Sequence, residues 1–139
     1  MGQAHVHLSG AVRSHELAAI GRRVAEQEWD LVELLAPDAW AAARAEPLPE
    51  PIPDVAGTNG RPTARELLDA VRRFLTDDAV PGTSGHLAYQ ARVAANMVAI
   101  VERELAQVPH PPADDSWPEL ARSTRDKLAV ANPKHLAGP

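Results

Sequence analysis

Residues 85–105, GHLAYQARVAANMVAIVEREL, are apolar almost all the way round a helix. Leu87, Ala91, Ala94, Val98, Val101 and Leu105 recur at alternating spacings of four and three, which traces one stripe along a helical surface. Tyr89, Val93, Asn96 and Ile100 trace a second stripe beside it. A helix apolar on two faces needs other helices around it, so this segment is expected to be the central post of a small bundle. Tyr89, Arg92 and Asn96 are set into that post, and polar groups buried there require partners or water.

The chain has 139 residues, the size of one ordinary domain or of a domain of about 75 residues with an appendage. Nearly half of it is apolar, but much of that is alanine, and there are only three Trp, one Tyr and one Phe. Closely spaced Ala, Leu and Val helices suit this composition better than a sheet sandwich. No run of eighteen apolar residues exists, so no membrane span is expected. The opening MGQAHVHLSG lacks the basic and apolar regions of a signal peptide, and Val6 stands where a myristoylation signal has Ser or Thr. The absence of cysteine rules out disulfides, thiol nucleophiles and thiolate metal sites, and suits a cytoplasmic protein. A net charge of −5 argues against nucleic acid as a partner, since phosphate binding wants a basic face.

Three parts follow along the chain: an N-terminal helical segment (1–46), a proline and glycine linker (47–60) and a helical bundle (61–139). In the first, Ser14 can cap a long helix from about residue 12, and Leu17, Ile20, Val24, Leu31 and Leu35 form an apolar stripe opposite Arg22, Arg23, Glu26, Gln27 and Asp30. Pro37 breaks this helix and can open a short second one. Pro47, Pro49, Pro51 and Pro53, then Gly57, Asn59 and Gly60, favour an extended path and mark the expected domain boundary. The bundle opens with a capping box, Thr63 and Glu66, before an apolar face of Leu67, Leu68, Val71, Phe74 and Leu75. Pro81-Gly82 ends that helix, Thr83 or Ser84 can cap the next, and the 109–112 turn closes it. The last helix starts near Ser116, where Glu119 repeats the capping pattern; Leu120, Thr124, Leu128 and Ala131 make its inner face, and Asn132-Pro133 stops it. Neither an internal repeat nor a strand is evident.

Most catalytic patterns are missing. His5 and His7 lie close together near the start, but no His-Glu-x-x-His helix accompanies them, so no metal site is expected. His15, His86 and His110 read as first-turn, capping or surface residues. No phosphate loop, dinucleotide fingerprint or kinase motif is present, and Gly57-Thr-Asn-Gly60 reads as a turn. Gly82-Thr-Ser-Gly85 reads as a helix-start loop, and the pairs Asp77-Asp78 and Asp114-Asp115 as solvated caps. Tyr89, Arg92 and Asn96 remain, within reach of one another on one side of their helix. In the structural reading Arg92 pairs with Glu66, Asp69 or Asp126, and Asn96 ties down a loop carbonyl. In the functional reading they form a polar notch, with Arg92 as a two-pronged donor to an anion or to a partner's carboxylate.

RPTARELLDAVRRFL, GHLAYQARVAANMVAIVERELA and RDKLAVANPKHL together resemble a bacterial helical domain of unknown function found beside, or fused to, aminoglycoside-phosphotransferase-like kinases, often near acyl-CoA dehydrogenase genes. The resemblance covers about 61–136, and ARVAAN and KLAVANP are its most specific parts. It carries no catalytic residue over. The front stretch, HLSGAVRSHELAAIGRRVAEQEWDLVELL, resembles the C-terminal helix of such a kinase, whose nucleotide loop and catalytic aspartate have no counterpart here.

The combined expectation is an all-α protein, a small helical bundle preceded by a long helix and a proline-rich linker. Its expected role is a non-catalytic accessory or interaction domain for such a small-molecule kinase, with no cofactor, no metal and no membrane. Leu17, Ile20, Val24, Trp29, Leu31 and Leu35 would contact a kinase-like partner or a second copy, with Trp29 and Trp40 as anchors. The alternative is a binding domain in which Tyr89, Arg92 and Asn96 line a pocket for an anionic ligand such as an acyl-CoA. An interaction domain should leave Arg92 paired internally and the front helix exposed; a binding domain should line a concave pocket with Arg92. Removing residues 1–60 is expected to leave a folded bundle.

Overall fold

The computed structural model describes residues 10–138, with side-chain surroundings from Glu16 onward. The readings of His5, His7, the opening segment and the side chains of Ser14 and His15 lie outside these described residues. The chain forms α1 (Gly10–Leu35), α2 (Pro37–Ala45), α3 (Ala64–Phe74) with a π-helical continuation (Leu75–Ala79), α4 (Gly85–Ala106), α5 (Trp117–Ala131) and α6 (Pro133–Ala137). Among the described residues the only β pairing is a single bridge between Gly57 and Gly60, so the all-α expectation holds and the 57–60 segment is a turn. No described helix is long and apolar enough to cross a membrane.

Local chemistry sets most of these boundaries. Ser14 lies within the described span of α1, four residues after Gly10. Pro37 ends α1 and stands at the first position of α2, where its missing N–H costs nothing. The Thr63 hydroxyl accepts from the Glu66 amide at 3.1 Å, and the Glu66 carboxylate accepts from the Thr63 amide at 2.9 Å, completing the expected capping box. The π-helical continuation ends where the Gly82 amide donates to the Asp78 carbonyl at 2.9 Å. A Cβ on Gly82 would stand 2.6 Å from that oxygen, so the turn admits only glycine without shifting backbone. Two capping expectations change. The Thr83 hydroxyl donates back to the Ala79 carbonyl at 2.5 Å, and Ser84 precedes α4 without a side-chain cap. Ahead of α5, Asp114 accepts from the Ser116 amide and Glu119 from the Ala113 amide, each at 2.9 Å, so Ser116 and Glu119 do not form a reciprocal box.

The buried core lies where α1, α2 and α5 meet: Ala25, Trp29 and Val32 from α1, Ala43 from α2, and Ala121 and Leu128 from α5. Ala39, Trp40, Ala131 and Leu136 pack against it. The central post is therefore α5 and not α4. On α4 only Ala95 is buried, while Leu87, Val101 and Leu105 are exposed. The apolar face of α3 also turns outward at Leu67, Val71 and Phe74.

α5 is buried in spite of its charges because those charges are matched. Arg125, 3% exposed, donates to the carbonyls of Ala43 and Glu46 at 3.1 Å and pairs with Asp126 at 2.9 Å. Arg122 pairs with Glu119 and with Asp126, each at 3.1 Å, and donates to the carbonyls of His110 and Pro111. A buried guanidinium is tolerated when carboxylates and carbonyls take up its donors.

The proline segment is irregular, as expected, but it lies against the helices. The Ile52 amide donates to the Ala106 carbonyl at 2.7 Å, and Arg65 donates to the Ile52 carbonyl at 2.5 Å. The core draws residues from both sides of it. Residues 61–139 alone would keep Ala121 and Leu128 but lose Ala25, Trp29, Val32 and Ala43, so removing 1–60 would strip most of this buried cluster.

Candidate functional site

α1 and α4 pack along part of their length, and small side chains control how closely they approach. Ala18 and Ala19 on α1 leave a hollow, which Tyr89, Arg92, Val93, Asn96, Met97 and Ile100 close from α4. Arg22 projects from the next turn of α1 into the same lining. The cavity has a volume of about 210 Å³. Pockets that enclose a drug-sized ligand span roughly 300–1,000 Å³, so this one takes a group of an acyl-CoA and not the molecule.

The geometry joins Tyr89, Arg92 and Asn96 as their spacing implies, but all three are exposed and not internal to a central post. The expected internal pairing of Arg92 is not made. Glu66 is bound to Arg61, Asp69 to Arg72 and Arg73, and Asp126 to Arg122 and Arg125. Among the described residues, Arg22, Arg92 and Asn96 have no hydrogen bond or ion pair, and no carboxylate lines the cavity. The His86 ring lies over Tyr89, with centroids 6.2 Å apart. The wall thus combines two fixed positive charges, a phenol and an amide with the apolar surface of Ala18, Ala19, Val93, Met97 and Ile100. In the sequence Arg22 reads as part of a solvated face. The available signal was its position one turn after two adjacent alanines that admit a neighbouring helix.

The front-helix residues divide. Leu17, Ile20, Val24, Leu31 and Leu35 are all about half exposed and share one stripe. Trp29 is only 2% exposed and packs on Trp40 with ring centroids 5.5 Å apart, so it belongs to the chain's own core and is not a docking anchor. Trp40 is half-buried beneath the Arg44 guanidinium, 5.3 Å from its ring, and its buried indole N–H has no partner among the described residues.

The titration pattern is that of ion pairs. Hydrogen bonding to Arg61 and the Thr63 amide holds Glu66 down at about 2, and Arg122 with the Ala113 amide does the same for Glu119. Arg72 and Arg122 are pushed up by their bonds to Glu102 and Glu119, while burial lowers Arg103. Asp77 and Asp78 lie inside the π-helical continuation and cap no helix, Asp77 accepting from the Thr76 hydroxyl, while Asp114 accepts from the Ser116 amide ahead of α5. His135 meets Asp30 at 2.9 Å. Among the described residues no three His, Cys, Asp or Glu side chains converge as a metal site would require.

Comparison with known proteins finds one family similarity. The model of a family described as a domain of unknown function (DUF6285) matches residues 81–117. That span, roughly a quarter of the chain, holds α4 and the turns at both its ends, and is narrower than the resemblance noted over 61–136. Tyr89, Arg92 and Asn96 fall inside it, and Arg22 falls outside. No curated protein and no solved structure matches the chain.

Proposed function

We propose that the chain is a non-catalytic accessory domain that docks through α1 on an aminoglycoside-phosphotransferase-like small-molecule kinase. The observation that carries this reading is the stripe of Leu17, Ile20, Val24, Leu31 and Leu35, left exposed after the chain has closed its own core. Burying the rest of each side chain would contribute about 1 kcal/mol, so the five contribute roughly 5 kcal/mol. Association costs about 4–15 kcal/mol, so the stripe meets only the lower end and a polar rim must supply the remainder. The resemblance of this helix to a kinase's C-terminal helix supports the choice of partner.

Co-purification with the tagged chain, with the captured protein identified by mass spectrometry, tests the reading. A kinase-like partner should be recovered with the wild type and lost with the double variant Ile20→Asp/Val24→Asp. Recovery of the chain alone, or equal recovery with the variant, overturns it. A second reading, in which the chain binds a small anion, is favoured by the cavity that Arg92 lines without an internal partner.

A further inference from the structure

We infer that Arg22 and Arg92 form a two-armed site for a small amphipathic oxyanion, a carboxylate or phosphate carried on a short hydrocarbon chain. The inference rests on the second reading above and is independent of what docks on α1.

The two arginines come from different helices and meet at one cavity with no carboxylate in its described lining. Each guanidinium offers a planar fork of donors that matches an oxyanion. Two like charges facing one hollow repel each other, and an anion between them turns that repulsion into attraction. Neither guanidinium is committed elsewhere among the described residues, in contrast to Arg61, Arg72, Arg73, Arg122 and Arg125, which all hold carboxylates. Asn96 adds an uncommitted amide to the same wall.

The remaining lining sets the ligand's other end. Ala18, Ala19, Val93, Met97 and Ile100 offer no hydrogen-bonding side chain, so a bare inorganic ion would leave them wet. At about 30 Å³ per water-sized group, 210 Å³ holds about seven non-hydrogen atoms. Pentanoate has that size, and pentanamide is its neutral counterpart.

NMR titration of the full chain at constant ionic strength tests the site, following the arginine Nε–H signals and the backbone amides of α1 and α4. Pentanoate should shift the signals of Ala18, Ala19, Arg22, Arg92 and Met97 saturably, at least tenfold more tightly than pentanamide. Butyl phosphate in place of pentanoate distinguishes the phosphate source from the carboxylate source, and tight selective binding of either supports the site. Arg22→Gln and Arg92→Gln should each weaken binding at least tenfold, with melting temperatures near that of the wild type. Equal binding of pentanamide, or inorganic phosphate binding as tightly as both organic anions, overturns the amphipathic oxyanion site. Loss in Arg92→Gln with full binding in Arg22→Gln would overturn the two-armed site while leaving an Arg92 notch. No saturable shift with any probe would remove the binding reading altogether.

Discussion

Trp29→Ala tests whether the front helix is part of the folded core. Trp29 is 2% exposed, packed from α1 against α2 and α5 with Ala43, Ala121 and Leu128 in the same buried cluster. A buried aromatic side chain covers about 150–250 Å². At roughly 25 cal/mol per Å² its loss costs about 4–6 kcal/mol, an upper figure because the unfolded chain already buries part of that surface. Truncations of Phe or Trp to Ala in cores cost about 3–5 kcal/mol, and about 4 kcal/mol is the value expected here. In a chain of this length that corresponds to a fall of about 12 °C in Tm. Urea titration followed by far-UV circular dichroism reads the loss directly, with the m value unchanged if unfolding stays two-state. Leu34→Ala is the matched control, since Leu34 is 76% exposed and should change stability by no more than about 0.5 kcal/mol. A loss below about 1 kcal/mol in Trp29→Ala would refute the shared core and restore residues 61–139 as a unit that folds alone.

Arg125→Met leaves the carbonyls of Ala43 and Glu46 without their donor, and should cost about 3 kcal/mol in the same urea titration; a change under about 1 kcal/mol would show that this contact is idle. Glu119 is held at about 2, below its ordinary 4.5, so its contribution is fully present above 4.5 and lost as pH falls toward 2. The Tm gap between wild type and Glu119→Gln should therefore be open near neutral pH and close at pH 2; a gap independent of pH would contradict the ion pair. Thr63→Ala should cost about 1 kcal/mol through loss of the α3 cap, with Thr63→Ser keeping most of it, as measured by thermal melts.

The helices themselves were legible in the sequence because they are coded locally. Pro37, the Thr63–Glu66 pair and Pro81-Gly82 act within a few residues of where they stand, and each marks a boundary that forms. Their arrangement was less legible. Residues 85–105 read as the innermost helix because periodicity counts apolar side chains, yet α4 lies at the side of the bundle. α5 carries Arg122 and Arg125 on its inward side, and such charges read as solvent-facing until their partners are known. Those partners include the carbonyls of Ala43, Glu46, His110 and Pro111, and backbone oxygens leave no signature in a sequence. At the candidate site, Tyr89, Arg92 and Asn96 were found because one helix carries them all. Arg22 was not, because only tertiary packing brings α1 alongside.

The contacts that lock α1 and α2 to α5 and α6 reach far along the chain: 82 positions from Arg125 to Ala43, 106 from Asn132 to Glu26 and 105 from His135 to Asp30. The link between α3 and α4, Arg72 to Glu102, spans only 30. During synthesis the α3–α4 hairpin can therefore form early, while α1 and α2 leave the ribosome with only each other to pack on. At about 5–20 residues per second, the 85 positions that separate Ala43 from Leu128 correspond to roughly 4–17 s. Throughout that interval the sides of Trp29 and Val32 that α5 will cover stand in water beside the stripe of Leu17, Ile20 and Val24. The newborn chain is consequently more adhesive than the finished protein, and its yield in cells should depend on whatever shields α1 until the last helix arrives.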